Sequence, residues 1–404
     1  MSVIALFSGN FCNEEAYLHE IQKKTGYRIV KDHELLNRAA ELSGTTGERI
    51  QGAFSAKPSI FNRFTHEKER AIAHLRMALS EVVVNDEIIL QGFSGHLLPK
   101  TITHVMNVCL ISDIKHRLAA ALESDKYSEK EALGLIKKHD EDYAAWIKLL
   151  YEREDPWDTG LYDIVIPTDK LSPDEAGSLI KENMSGIVLQ PTSRSRKAVE
   201  DFQLAARVEA SLAREGHDVS VDAREGTAIL TINKHVLMLG RLEDELKSLA
   251  GKVPGVKSVV TVIGRKFHKT DIYRKFDFDV PSKVLLVDDE REFVQTLSER
   301  LMMRDMGSAV AYDGESAIDM VNEHDPEVMI LDLNMPGIDG IEVLRRVKQT
   351  NPDIEVIILT GHGSEDDKKV CMDLGAFDYL QKPVDIEVLS KTLKAANEKI
   401  HPKQ

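Results

Sequence analysis

The sequence predicts a multidomain α/β protein: a parallel α/β domain, then a small α+β module, then a second, doubly wound α/β domain. Three observations predict it. Residues 2–183 and 283–404 alternate short apolar runs with stretches of helical period, whereas the segment between them reads helix, strand, strand, helix, strand. Polar, aperiodic segments separate the three, at Gln190–Arg196 and at the charged stretch His268–Pro281. A chain of 404 residues also exceeds one compact core at roughly 100–200 residues per domain.

Taken in order, Val3–Phe7 reads as a buried strand and Glu14–Thr25 as an amphipathic helix, a βα opening. Glu87–Leu90 and His104–Ile111 read as further buried strands, and Ile114–Leu122 and Ser128–Tyr151 as helices, the second opened by Ser128 with Glu131 at capping-box spacing. Tyr162–Pro167 is the last strand of this domain. Ser172–Asn183 is its last helix, with Ser172 as N-cap and Pro173 at the first position. In the middle module, helices are expected over Asp201–Glu215 and Leu242–Leu249, the latter stopped by Gly251, and strands over Val219–Ala223, Thr227–Ile232 and Val259–Ile263. The last domain repeats strand then helix five times: strands at Val284–Val287, Ala309–Ala311, Val328–Leu331, Glu355–Leu359 and Phe377–Gln381, each followed by a helical stretch.

The composition is that of ordinary folded protein, with 42% apolar and 29% charged residues, so disorder and fibrous repeats are excluded as defaults. A net charge of -15 opposes attraction to phosphate backbones, and no nucleic-acid partner is expected. No apolar run is long enough to span a bilayer, and Met1–Phe7 lacks a basic flank or cleavable pattern, which predicts a cytoplasmic protein without membrane contact. Cys12, Cys109 and Cys371 form no CxxC pair and read as buried apolar residues.

In the last domain three carboxylates fall at strand ends. Asp288-Asp289 directly follows Val284–Val287, and Asp332 follows Val328–Leu331. Clustered carboxylates at the carboxyl ends of parallel strands suit a hard, oxygen-ligated divalent ion, with Asn334 offering a main-chain carbonyl. Thr360, ending the strand before it, brings a hydroxyl to the same crevice, and Lys382 a positive charge. Together they describe a phosphoryl-accepting carboxylate surrounded by Mg²⁺ and donors. The motifs Val-Asp-Asp-Glu, Leu-Asp-Leu-Asn-Met-Pro-Gly-Ile-Asp-Gly, Leu-Thr-Gly and Asp-Tyr-Leu-Gln-Lys-Pro stand in order, and residues 281–404 resemble a response-regulator receiver domain. The resemblance implies Asp332 as phosphoacceptor, Asp288, Asp289, Asp332 and Asn334 at Mg²⁺, and Thr360 and Lys382 on the phosphoryl oxygens. It further implies Tyr379 as the aromatic residue that swings inward on phosphorylation, a cis Lys382-Pro383 bond, and a sensor histidine kinase as phosphate donor.

The first domain opens with a strand running into Ser8-Gly9 and then a helix, the position of a phosphate-binding loop. With Asp32–Leu36, Ile88–Gly92, Lys115-His116-Arg117, the Ser128–Tyr151 helix and Leu161–Thr168, residues 1–183 resemble the cytidylate-kinase-like family. Its loop departs from the P-loop pattern. Counting from Gly9, Glu14 stands for the second glycine, Glu15 for the lysine and Ala16 for the hydroxyl, and the lid segment His139–Tyr143 is acidic where the family tends to carry arginine. The expected domain is a degenerate nucleotide kinase. Gly9 and Arg117 are the candidate nucleotide contacts, with Arg63 and Arg70 as further anion-binding candidates, while Trp146 and Trp157 read as packing residues.

Residues 197–268 resemble a BON domain, chiefly through Val253-Pro254-Gly255-Val256-Lys257 before the last strand, which implies an interaction surface. The reading is a response regulator, phosphorylated on Asp332, with a non-DNA-binding output in the two preceding domains, a protein partner there and a homodimer left open. The alternative is a receiver-regulated nucleoside monophosphate kinase.

Overall fold

The computed structural model describes residues 2–55, 59–123, 126–236, 238–265, 267, 281, 283–304, 306–361 and 363–401, with the backbone alone at 63 and 64. All of the expected linker His268–Pro281 except Pro281 lies outside them. The chain divides into two compact units, residues 1–58 with 68–273 and residues 59–67 with 274–404.

In chain order the first elements are β1 (Val3–Ser8), α1 (Glu14–Thr25), β2 (Arg28–Lys31), α2 (Asp32–Ser43), α3 (Gly47–Gly52), α4 (Asn62–Thr65), α5 (Glu67–Val82) and β3 (Ile88–Gln91). They continue as β4 (Val105–Ile111), α6 (Ile114–Leu122), α7 (Glu129–Tyr151), β5 (Ile164–Pro167) and α8 (Pro173–Met184). The strands form one wholly parallel sheet in the order β2-β3-β1-β4-β5. β1 is buried along its whole length because it is central and covered on both faces, which is why it reads as an uninterrupted apolar run. The expected capping boxes close α7 at Ser128 and α8 at Ser172. β2, α2, α3 and α5 fill a stretch to which the sequence assigns no element. The strand among them is only four residues long and half-exposed, too short to carry a period.

The expected linker Gln190–Arg196 is corrected by the structure. Thr192 caps a 22-residue helix, α9 (Ser193–Arg214), in a capping box with Ser195, so the helix expected from Asp201 begins two turns earlier. Polar residues open it, and that hid its start. Its Val199 and Phe202 pack into the core beneath the first sheet, while Leu204, Ala205, Val208 and Leu212 belong to the core of the middle module. That module adds β6 (Ser220–Arg224), β7 (Thr227–Ile232), α10 (Leu239–Ala250) and β8 (Ser258–Ile263), with the strands in a mixed sheet β6-β7-β8. Arg76 ion-pairs with Glu209 and Gln203 donates to the Ser80 carbonyl at 3.2 Å, so α9 is a wall shared by two cores rather than a tether.

The second unit contains β9 (Val284–Val287), α11 (Arg291–Met302), β10 (Ser308–Ala311), α12 (Gly314–His324), β11 (Val328–Leu331) and α13 (Gly340–Thr350). β12 (Glu355–Thr360), α14 (Glu365–Asp373), β13 (Asp378–Gln381) and α15 (Ile386–Ile400) complete it. Its five parallel strands run β10-β9-β11-β12-β13, with one apolar core on each face of the sheet. The order reverses beside β9, which opens a crevice at the carboxyl ends of β9 and β11. Among the described residues no helix is long and apolar enough to cross a membrane.

Candidate functional site

The register of β9 against β11 decides the site. Leu331 lies opposite Val287, and the Asp332 N–H donates to the Val287 carbonyl at 2.9 Å, so the next residues, Asp288 and Asp332, emerge side by side. Asp288, Asp289 and Asp332 each bring a carboxylate oxygen within 4.8 Å of the others. Asp288 and Asp332 are buried and Asp289 is exposed, which leaves one side of the cluster open to solvent. Repulsion among such oxygens is relieved by a cation, and the set is of the hard, all-oxygen kind.

Lys382 is placed by β13. Its N–H donates to the Thr360 carbonyl at 2.9 Å, and its Nζ lies 2.7 Å from Asp288 Oδ2, 2.9 Å from Asp332 Oδ2 and 3.2 Å from Glu290 Oε1. The Phe293 ring lies beneath it, 4.6 Å from centroid to Nζ. Burial alone lowers the Lys382 pKa, but hydrogen bonds to Asp288 and Asp332 outweigh it and raise it. Burial raises the Asp288 pKa against the pull of Lys382. The other Asp332 oxygen, Oδ1, accepts from its neighbour's N–H, Leu333, at 2.7 Å. Thr360 is fully buried at the end of β12, and Asn334 is exposed on the loop beyond Asp332. Gly340 lets α13 close against that loop: a Cβ there would stand 2.2 Å from the Asp332 carbonyl oxygen. The Lys382-Pro383 bond is cis, as expected.

The structure thus brings Asp288, Asp289, Asp332 and Lys382 together. Sequence reasoning missed Glu290 and Phe293, which also hold Lys382. The signal for Glu290 was present, since it extends the acidic run at the end of β9; Phe293 gave none.

The crevice of the first sheet has a different character. Gly9 follows β1, its N–H donating to the Leu110 carbonyl at 2.9 Å, and the loop is roofed by Ile111 and Trp157: a Cβ at Gly9 would lie 2.5 Å from Ile111 Cδ1 and 3.4 Å from Trp157. Arg117 is buried. Its guanidinium forks onto Asp140 at 2.9 and 2.8 Å and donates from Nε to the Asn10 carbonyl at 2.8 Å. Asp140 of α7 therefore consumes the candidate anion-binding arginine. Arg70 lies half-buried on α5, and the Arg63 side chain lies outside the described residues.

Glu14 accepts from Gln91 Nε2 at 2.7 Å, and burial raises its pKa. Glu15 pairs with Lys31 at 2.7 Å. Asp32 accepts from the Phe93 and Ser94 N–H groups at 2.6 and 3.2 Å, and its pKa is pushed up to about 6 by burial. Phe7, Tyr143 and Trp157 fill the space above β1 with ring centroids 4.7 and 5.5 Å from Phe7. Trp146 is buried in the core, donating to the Phe93 carbonyl at 3.1 Å, so both tryptophans pack as expected. The three cysteines are free and buried.

These two sheets correspond to two sequence families. Residues 284–394 match the family model of the response regulator receiver domain, and residues 12–170 that of the cytidylate kinase-like family. The C-terminal match is echoed by response regulator MprA of Mycobacterium sp. strain KMS, 32% identical over 123 residues, which are 30% of this chain and 54% of that protein. The chain thus spans about half the length of the curated relatives it matches. Among solved structures, a response regulator receiver domain protein from Clostridium thermocellum is 33% identical, with 29% of this chain and 94% of that one covered and a TM-score of 0.28. The receiver domain of Francisella response regulator 1452 is 29% identical, with 29% and 96% covered and a TM-score of 0.28. The C-terminal part of the chain is a response-regulator receiver domain. The N-terminal part is similar to the cytidylate kinase-like family.

Proposed function

We propose that this protein is a two-component response regulator, phosphorylated on Asp332 by a sensor histidine kinase, with its output in a degenerate kinase-like domain (1–183) and a BON-like module (197–268) rather than in DNA binding. The receiver domain spans 281–404. One observation carries the reading: Lys382 reaches both Asp332 and Asp288 at the switch point of the second sheet, beside an open third carboxylate.

Three carboxylates with oxygens within 4.8 Å of one another fit a hard divalent ion, so Asp288, Asp289, Asp332 and the Asn334 carbonyl would hold Mg²⁺. Mg²⁺ supplies neutralisation of phosphoryl charge at the acidic cluster. The Asp332 carboxylate attacks phosphorus of a phosphohistidine, the O–P bond forms, the N–P bond breaks, and the imidazole nitrogen retains the electron pair. Lys382 exchanges a carboxylate for a phosphoryl oxygen, and Thr360 donates its hydroxyl to another. The shift of these two groups biases a two-state equilibrium that the neighbouring Tyr379 reports to the surface.

The acidic balance supports a non-DNA output. Support for a catalytically silent first domain comes from its crevice, where Asp140 holds Arg117 and Glu14 and Glu15 stand in the loop. The family match over 12–170 favours a second reading, a receiver-regulated nucleoside monophosphate kinase. Calorimetric titration of the full chain with ATP and with CMP, each with Mg²⁺, separates the two. The proposal expects no binding of either; tight binding of both, altered by a phosphate mimic at Asp332, would replace it with the enzyme reading. Radiolabelling with a small phosphodonor tests the receiver directly, and label persisting in Asp332→Asn would remove the acceptor assignment.

A further inference from the structure

Tyr379 leaves β13 with its ring packed against the core beneath α13 and α14, and its hydroxyl is buried with no hydrogen-bond partner among the described residues. A buried hydroxyl with no partner loses its hydration for nothing, so something in the geometry must hold it there. What holds it is space. A Cβ built on Gly363, in the loop between β12 and α14, would stand 1.6 Å from the Tyr379 hydroxyl oxygen and 2.9 Å from its Cζ. The same Cβ would lie 2.9 Å from Thr360 Cγ2, so the missing side chain of Gly363 is the seat that the tyrosine occupies beside Thr360. Gly363 owes nothing to a left-handed backbone, because its φ is not among the positive ones of this chain. The demand for glycine at this position therefore comes first from Tyr379, with a shallower contact on Thr360, and not from a left-handed turn.

We infer that Gly363 is a positioning residue: by carrying no side chain it holds open the inward seat of Tyr379, and a methyl group there drives the ring out to solvent while leaving phosphorylation chemistry at Asp332 in place. The inference rests on the response-regulator reading, because it is through Tyr379 that the state of Asp332 reaches the surface. The 1.6 Å overlap with the hydroxyl is far deeper than the 2.9 Å approach to Thr360 Cγ2, which a small shift of the Gly363 loop relieves, and a tyrosine can rotate about χ1, so the ring is what moves. Asp288 and Asp332 lie on other strand ends, and Lys382, although it follows the same strand as Tyr379, is held by those two carboxylates and by its N–H to the Thr360 carbonyl, so all three keep their contacts.

The test uses the full chain labelled with 3-fluorotyrosine, the Tyr379 resonance among the nine tyrosines being assigned by its loss in Tyr379→Phe. Shielding of that resonance from a soluble paramagnetic agent is read in wild type and Gly363→Ala, with and without beryllium fluoride and Mg²⁺, alongside the rate of labelling by acetyl phosphate. The expected result in Gly363→Ala is a fall of at least about tenfold in the shielded-to-exposed ratio, insensitive to beryllium fluoride, with labelling within about twofold of wild type. A Tyr379 resonance that stays shielded in Gly363→Ala overturns the inference. Absence of labelling in wild type would instead remove the receiver chemistry, since shielding in the unphosphorylated protein is read independently. Should Gly363→Ala fail to fold, Gly363→Ala with Tyr379→Leu decides: folding and labelling of the double variant support a clash with the ring, and its failure assigns the glycine to the loop and overturns the proposal.

Discussion

Two parallel five-stranded sheets in this chain both present carboxylates near strand ends, and the partners of those carboxylates differ. In the second sheet Asp288, Asp289 and Asp332 converge on one point, the two buried ones, Asp288 and Asp332, share Lys382, and Asp289 stands in solvent. In the first, each acid has its own internal partner: Glu14 has Gln91, Asp32 has two backbone N–H groups, and Asp140 has Arg117. Acids that converge create unfavourable charge for a cation or phosphoryl chemistry to relieve, whereas acids each met by a partner of their own leave no shared charge for a ligand to relieve. Position at a strand end is therefore insufficient to define a site.

The strongest way to break this contrast is at Asp332. Labelling by a phosphodonor falls to background in Asp332→Asn, while the first unit, followed by its two tryptophans, Trp146 and Trp157, unfolds in urea as in wild type. Asp32 gives the next largest effect. Its folded-state pKa of about 6 lies above the ordinary 3.8, so the folded protein binds this proton more tightly than the unfolded chain. Its contribution to stability is therefore fully present below about pH 4 and is lost as pH rises through 6, by about 3 kcal/mol at most. Urea midpoints of wild type and Asp32→Asn at pH 4.5 and 7, read by tryptophan fluorescence, check it; equal pH dependence in the two would show that Asp32 is not the titrating group.

A smaller cost is expected for Asp140→Asn, which leaves the buried Arg117 guanidinium without its counter-charge and destabilises the first unit by about 2 kcal/mol. Its counterpart in the second sheet, exposed Asp289→Asn, changes stability by less than about 0.5 kcal/mol yet weakens Mg²⁺ binding, measured by titration calorimetry. If Asp289 proved as costly to stability as Asp140, the contrast between the sheets would collapse. The smallest effect is none at all. Glu15→Lys breaks a surface pair with Lys31 but restores no ATP:CMP phosphotransfer, because Ala16, Asp140 and the aromatic roof remain. Measurable transfer in that single variant would contradict the degenerate-loop reading.

The receiver site was legible in the sequence because each of its groups directly follows an apolar strand, and parallel strands in register bring such residues together. The α9 helix was not, since its first turn of Ser193-Arg194-Ser195-Arg196 is as polar as a linker and its burial is set by two cores distant in sequence. Arg117 shows the same limit: its residue type and position fit an anion contact, and only the packing of α7 against α6 reveals that Asp140 already fills that role. Glu290 and Gly363 acquire meaning through Lys382 and Tyr379, which approach them from other strands.

By itself the sequence determined the two parallel sheets, the order of the middle module's elements and the strand-end acids, because periodicity and motif spacing are local properties of the chain. Which acids face one another, which arginine is spoken for, where the tyrosine finds room and that one helix serves two cores were decided only by tertiary structure. These depend on register and on packing between residues far apart in the chain, and no local pattern encodes such distances.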